Sequence, residues 1–250
     1  FQWFEDEGTG QTIIRGMGEL HLDVLVDRLK REFKVEVKTG KPQVVYRETI
    51  AESATARELF ERSASEGEAI HGCVGLKVSP RERGSGNAVV WAFPAEGDET
   101  PDWLSGEIRR ATEEGIQQSF GSGVLDGYPL LDVEVEVTHL AFDETASKPI
   151  GYTIAATTAV REAMRNAKPS LLSPIANVEV STPPNYTGEV ISSINQRRGR
   201  VEDMTERSAQ QSLIRASVPM ERMFGYATEL RSSTQGRASF TMTFSHFDLV

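Results

Sequence analysis

The sequence contains a single cysteine, Cys73, in 250 residues. That excludes an internal disulfide and a cysteine-only metal cluster. With no local partner except His71 to lower its pKa, Cys73 reads as a small buried hydrophobe rather than a nucleophile. No apolar run approaches the ~18 residues a membrane helix needs, and Phe1-Gln2-Trp3 opens no secretory signal. The expectation is a soluble, cytoplasmic protein with no membrane partner. Histidine is scarce as well: His21, His71, His139 and His246 are far apart, and none forms a helical pair at metal-ligand spacing. We read them as structural or surface groups. The chain has no G-x-S-x-G elbow to present a serine nucleophile. It also lacks a G-x-x-x-x-G-K-[ST] loop, whose backbone amides and lysine would cradle a nucleoside triphosphate. No catalytic, metal or cofactor site follows from the residues, and the chain alone is not expected to hydrolyse GTP.

Positive charge is also in short supply. The formal net charge is −10, which by itself argues against binding phosphates. Its distribution says more. Residues 43–170 carry 12 basic and 21 acidic side chains, whereas residues 1–42 and 171–250 are close to neutral. An acidic block between neutral ends points to separate domains with separate surfaces. A solvated face is the plain explanation, and RNA-like negative charge on a domain that fills an RNA site is the sharper one.

The pattern along the chain is α+β in three blocks. In residues 1–42, Phe1 to Phe4 and Gln11 to Arg15 read as strands around a turn at Asp6 to Gly10. Glu19 to Phe33 reads as an amphipathic helix with Leu22, Leu25, Val26, Leu29 and Phe33 on one face. A strand over Lys34 to Lys38 and another over Gln43 to Thr49 follow, joined by Thr39-Gly40-Lys41-Pro42. The first block is only part of a small α+β unit, so we read the chain as starting inside a domain. Residues 43–170 open on Val44 to Ile50, then offer strands near Cys73 to Val78 and Ala88 to Phe93, with a polar loop between Phe60 and Gly72 and a turn over Arg81 to Asn87. A helix is expected from Trp103 to Phe120. Leu130 to Thr138 alternates, with Leu131, Val133, Val135 and Val137 inward and Asp132, Glu134 and Glu136 outward. A loop over Ala141 to Pro149 leads to a helix from about Gly151 to Ala167. After a linker, Lys168 to Pro174, residues 171–250 read strand (Ile175 to Val180), helix (Thr187 to Gln196), strand (Gly199 to Met204), strand (Gln211 to Val218), helix (Glu221 to Arg231) and strand (Arg237 to Phe244). That order is ferredoxin-like. RNA-recognition modules share it, but the central strands here offer no exposed aromatic pair for stacking.

Two basic clusters are candidate phosphate contacts: Arg197, Arg198 and Arg200 at a helix end, and Arg231, Gln235 and Arg237 around a polar turn. Either can touch an RNA backbone without reading sequence.

Longer strings narrow the reading. Gly16 to Ile50, including GMGELHLD and GKPQVVYRETI, resembles the end of the third domain of elongation factor G. GSG at Gly84 to Gly86, GIQQSFGSGVLDGYPLLDVEVEV and IAATTAVREAM resemble its fourth domain. SPIANVEVSTP, YTGEVISSINQRRGRVEDM and IRASVPMERMFGYATELRSSTQGRASF resemble its fifth. The resemblance implies a partial ferredoxin-like domain in residues 1–42, a ribosomal protein S5 domain 2-like domain in 43–170 and a complete ferredoxin-like domain in 171–250. It further implies a monomeric translational GTPase that binds ribosomal RNA and proteins of both subunits and moves mRNA and tRNA, with GTP and Mg held by a domain N-terminal to this sequence. The fourth domain of that family imitates a tRNA anticodon arm and reaches the decoding site. Its tip would consist here of Ser65, Glu66, Gly67, Glu68 and His71 in one loop and Asp143, Glu144, Thr145 and Ser147 in another. Glu68 stands where the family's GGRGQYG loop has arginine, His71 where it has tyrosine, and Asp143 at the histidine of HDVDSS. A carboxylate in place of a cation beside phosphate turns attraction into repulsion, about 1 kcal/mol or more per close exposed pair. A paralogue specialised for ribosome recycling is therefore the alternative to a translocase. Two further readings are a freestanding RNA-binding module using the five arginines and an enzyme using Cys73 or a histidine.

Overall fold

The computed structural model describes residues 2–6, 10–15, 19–40, 44–63, 68–95 and 97–249. The chain divides into two compact units, one of residues 46–172 and one combining residues 1–45 with 173–248.

The first block forms a two-stranded antiparallel ribbon, β1 (Gln2–Asp6) and β2 (Gln11–Arg15), followed by α1 (Glu19–Arg31). Residues 34–38 are not a strand, although Val35 and Val37 alternate with charged residues. A strand needs a neighbour for its ladder hydrogen bonds, and among the described residues no strand pairs with this segment.

In the unit of residues 46–172, β3 (Arg47–Ile50) is shorter than the Gln43 to Thr49 or Val44 to Ile50 expectation. The sheet of this unit is β4 (Ala54–Arg62), β5 (Ile70–Pro80), β6 (Ala88–Trp91) and β7 (Val133–Ala141) in spatial order β4-β5-β7-β6, with β6 parallel to β7. β4 is a strand that the sequence pattern does not predict, and the loop before β5 is shorter than the expected span between Phe60 and Gly72. One sheet face carries Val74, Leu76, Val78, Val135 and Val137, and against it lie α2 (Gly106–Phe120) and α3 (Pro149–Asn166). Ser105 caps α2 by accepting the Ile108 N–H at 3.4 Å, so the helix starts three residues later than Trp103. Ile108, Ala111, Thr112, Gly115 and Ile116 make its buried stripe.

Helix α3 fits through small residues. Ala155, Ala156, Ala159 and Ala163 are buried, and Thr153 and Thr157 donate their hydroxyls to the Ala111 and Gly115 carbonyls of α2 at 3.0 and 3.1 Å. A Cβ on Gly115 would lie 2.4 Å from the Thr153 oxygen, which is how close the two helix backbones come.

Asp132 reverses its expected direction. It is fully buried at φ 59°, accepts the Gly84 and Gly86 N–H groups at 3.0 and 2.8 Å, and so pins the 81–87 turn. Strict alternation begins only at Val133, because the ladder with β5 begins there.

The supposed linker over Lys168 to Pro174 is largely strand. β8 runs Pro169–Thr182: residues 169–172 pair with β3, and Ser173 and Pro174 already pair with the last strand. The ferredoxin-like order then continues with α4 (Thr187–Gln196), β9 (Arg200–Ser208), β10 (Gln211–Pro219), α5 (Tyr226–Ser233) and β11 (Ser239–Asp248). The antiparallel order is β11-β8-β10-β9. Val178, Val180, Ile214, Ala216 and Val218 form the core with Val190 and Ile194 of α4 and Tyr226 and Leu230 of α5. The expected helix Glu221 to Arg231 is instead a 3₁₀ turn, Met220–Arg222, and a separate α5. Gly225 divides them at φ 77°, a left-handed conformation that continuous helix does not allow. The face away from the helices presents Asn177, Glu179, Arg215, Ser217, Thr241 and Thr243 by register, all polar.

Candidate functional site

The β4–β5 and β7–α3 loops lie at one end of the sheet, since Arg62 pairs with Ile70 and Cys73 with Ala141. Ser65, Glu66 and Gly67 lie outside the described residues. Of the others, His71, Asp143, Thr145 and Ser147 are tied together. Asp143 folds its own loop: one carboxylate oxygen accepts the Thr145 hydroxyl at 2.7 Å and the Thr145 and Ala146 N–H groups at 2.8 and 2.9 Å. Ser147 closes the turn, its Oγ accepting the Asp143 N–H at 2.9 Å. The same hydroxyl meets His71 Nδ1 at 3.2 Å and the Tyr152 hydroxyl at 3.1 Å, while Tyr152 donates to the Ala141 carbonyl at 2.8 Å. The main chains join too: the His71 N–H donates to the Ala146 carbonyl at 2.7 Å. Glu144 and Thr145 are exposed at the outer edge.

Glu68 does not stand alone. Its carboxylate pairs with Lys148, and its carbonyl accepts two N–H groups of Arg62 at 3.2 Å each. The Lys148 hydrogen bond, followed by its charge, holds the Glu68 carboxyl below its ordinary pKa. Lys148, Arg62 and Tyr152 were not singled out in the sequence. Lys148 was detectable as the lone cation of the second loop; Tyr152 and Arg62 gain their roles only from the packing.

The Asp143 carboxyl is likewise held below the usual range, chiefly by the Thr145 hydroxyl and then by the Thr145 and Ala146 amides. A lowered folded pKa means that this contribution is complete above the unfolded carboxylate pKa and is lost as pH falls through the folded one. Amide exchange should therefore show Thr145 and Ala146 protected from neutral pH down to the ordinary carboxylate range and deprotected only below it. Asp143→Ala should lack that protection at every pH.

The two arginine clusters separate. Arg200 pairs with Ser217, opposite Asn177, whereas Ser239 pairs with Ser181, so the clusters sit at opposite ends of the ferredoxin-like sheet. Arg197 is occupied internally. Its guanidinium donates to the Arg222 and Phe224 carbonyls and to Glu229, and stacks over Tyr226 at 5.1 Å; its side chain is only 16% exposed. Arg198 takes a left-handed turn at φ 58°, which lets the Gly199 N–H close on the Ile194 carbonyl at 2.9 Å. Arg198 and Arg200 are exposed, as are Arg231, Gln235 and Arg237. Gln235 and Gly236 both adopt positive φ, and Gly236 N–H donates to the Arg231 carbonyl at 2.7 Å. Truncating Arg197 to methionine should lower stability by about 1–3 kcal/mol, because the two carbonyls and Glu229 lose a buried charged donor. Arg198→Ala should stay within about 0.5 kcal/mol of wild type. Urea denaturation of the two variants checks the contrast.

Cys73 is buried, and the His71 ring faces Ser147. His139 packs edge-on to Phe93 with centroids 6.1 Å apart, and desolvation, then Arg57, lowers its pKa. Among the described residues no group of three His, Cys, Asp or Glu could hold a metal ion, and no helix is long and apolar enough to cross a membrane.

These loops and sheets belong to a known class of domains from translation factors. The family models that match are elongation factor G domain III over residues 1–41, domain IV over 42–168 and the elongation factor G C-terminus over 170–250. The chain belongs to the elongation factor G family. It is 46% identical over 248 residues to elongation factor G 1 of Geobacter sulfurreducens, covering 99% of this chain and 35% of that protein. The crystal structure of a protein from Thermus thermophilus matches with a TM-score of 0.83 at 30% identity, over 100% of this chain and 36% of that one. The chain thus spans about a third of the length of either relative.

Proposed function

We propose that this chain is the ribosome-engaging C-terminal part of a cytoplasmic, monomeric translational GTPase that promotes movement of tRNA and mRNA. The observation that carries the reading is the run of three consecutive elongation factor G domain matches across the chain. The acidic 43–170 region acts as a tRNA-like arm, with the cross-tied loops of Glu68, His71, Asp143 and Ser147 as its leading edge at the decoding site. The exposed arginines at 198, 200, 231 and 237 contact ribosomal RNA phosphates. GTP and Mg belong to a domain outside this sequence, which lacks the loop to hold them.

The test is co-sedimentation of the chain, joined to its GTPase portion, with ribosomes in the presence of a non-hydrolysable GTP analogue. The expected result is nucleotide-dependent pelleting, and failure to pellet sinks the proposal. A second reading, ribosome recycling, is favoured by the acidic Glu68 and Asp143 at the tip. A factor that splits post-termination ribosomes with a recycling factor but translocates poorly would decide for it.

A further inference from the structure

We infer that Lys148 and Arg62 form a phosphate-binding pair at the tip of the 46–172 unit, and that the Glu68 carboxylate masks the lysine until an RNA backbone displaces it. The inference rests on the proposed ribosomal role and specifies how its tip takes hold of RNA.

One residue occupies both cations. The Glu68 carboxylate takes Lys148, and its carbonyl takes the Nε and Nη2 groups of Arg62, each at 3.2 Å. The cations themselves sit on firm supports. Arg62 is the last residue of β4 and is paired with Ile70, while Lys148 is the residue preceding the 18-residue helix α3. The masking group is more open: the Glu68 side chain is 69% exposed, against 36% for Lys148. An exposed ion pair of this kind holds weakly, and a phosphodiester offers the same anionic oxygens in a geometry that both a guanidinium and an ammonium accept. Among the described carboxylates of the tip, Asp143 is engaged through one oxygen by Thr145 and Ala146. Glu144, exposed in the same loop, opposes RNA and sets how strong the incoming phosphate contact must be.

The consequence inverts the plain reading of the sequence. Glu68 at the family's arginine position does not leave the tip without a cation; the cations come from the ends of β4 and the second loop. Binding then requires exchange of one anion for another, which discriminates against weak, non-specific RNA.

The experiment is an anisotropy titration of a labelled RNA stem-loop with the whole chain at several salt concentrations. Variants are Glu68→Gln, Lys148→Met, the double variant, and Glu114→Gln, which removes the same charge from the exposed face of α2. Glu68→Gln should tighten binding about threefold, and Lys148→Met should flatten the log–log salt dependence by about 0.7, one phosphate contact's worth. Lys148→Met should weaken binding, the double variant should match it, and Glu114→Gln should match wild type. Masking is overturned by an unchanged Glu68→Gln affinity, by a double variant as tight as Glu68→Gln, by an equal gain from Glu114→Gln, or by no binding in any form. Ribosome co-sedimentation reads the broader proposal separately: a factor that pellets while Glu68→Gln changes nothing keeps its ribosomal role and loses the mask.

Discussion

Replacing Gly72 by alanine is expected to destabilise the 46–172 unit by about 3 kcal/mol or more, at the upper end of what overpacking costs in a well-packed interior. The added Cβ would lie 2.1 Å from the Gly151 carbonyl carbon and 2.4 Å from both the Gly151 oxygen and the Tyr152 nitrogen. All three atoms are backbone, so no rotamer change relieves the clash. Helix α3 must lift from β5. The reciprocal contact makes the same demand, since a Cβ on Gly151 would meet the His71 oxygen at 2.5 Å. Lifting the start of α3 also pulls apart the tip, because Tyr152 anchors both Ser147 and the Ala141 carbonyl. Gly72→Ala should therefore lower the urea midpoint and, in the factor joined to its GTPase portion, weaken ribosome binding together. Gly188→Ala is the contrast: nothing lies within 4 Å of its Cβ in α4, so helix propensity alone should act and stability should stay equal or rise by up to about 1 kcal/mol. A Gly72→Ala variant with a wild-type midpoint would show that α3 is not seated as closely as this geometry requires.

What could be read from the sequence depended on whether an element's partner lies close to it or far away. The ferredoxin-like order was legible because Val178, Val180, Ile214, Ala216 and Val218 alternate toward two amphipathic helices. β4 was not legible. Its inward residues include the small Ala54 and Ala56, while Leu59 points outward at 54% exposure, so the strand carries almost no apolar alternation. Lys34 to Lys38 erred in the opposite way, with alternation but no neighbouring strand. Gly225 was read as an ordinary helix residue because its positive φ is a property of the fold. At the candidate site, His71, Asp143 and Ser147 were identifiable through their positions in family loops, although His71 and Asp143 depart from the residues the family has there. Their chemistry was not, since His71 meets Ser147 across 76 positions and Glu68 meets Lys148 across 80. The two arginine clusters looked equivalent as strings, and only the fold shows that Arg197 is committed to its own domain. Buried carboxylates are the least legible feature: Asp132 falls at an outward position of the alternation, and nothing local in the sequence marks Glu48 as buried.

Glu48→Ala should cost the 46–172 unit about 3–5 kcal/mol, since a buried donor left without its charged acceptor costs roughly 1–3 kcal/mol and several are left at once. Glu48 has no solvent exposure, and its two carboxylate oxygens accept the Leu125 N–H at 2.9 Å, the Asp126 N–H at 2.9 Å and the Tyr128 N–H at 3.1 Å. Its main chain is joined to the same segment, donating to the Pro129 carbonyl at 3.0 Å and accepting from Leu131 at 2.8 Å. A Cβ on Gly123 would fall 2.0 Å from the carboxylate, so the segment closes on this group with no room for a larger residue. Among the described residues no Lys or Arg forms an ion pair with it, and the three amides compensate the charge. Glu48→Gln separates shape from charge. The glutamine keeps one acceptor but turns an NH₂ toward an N–H, so it should lose about half as much stability as alanine, with deprotection in amide exchange at Leu125 or at Asp126 and Tyr128 according to which oxygen was replaced. Equal losses for alanine and glutamine would mean that both oxygens are indispensable, and no loss for alanine would remove Glu48 as the centre of this loop. Tip amides at Thr145 and Ala146 should keep their protection in Glu48→Gln, because Asp143 supplies their acceptor locally.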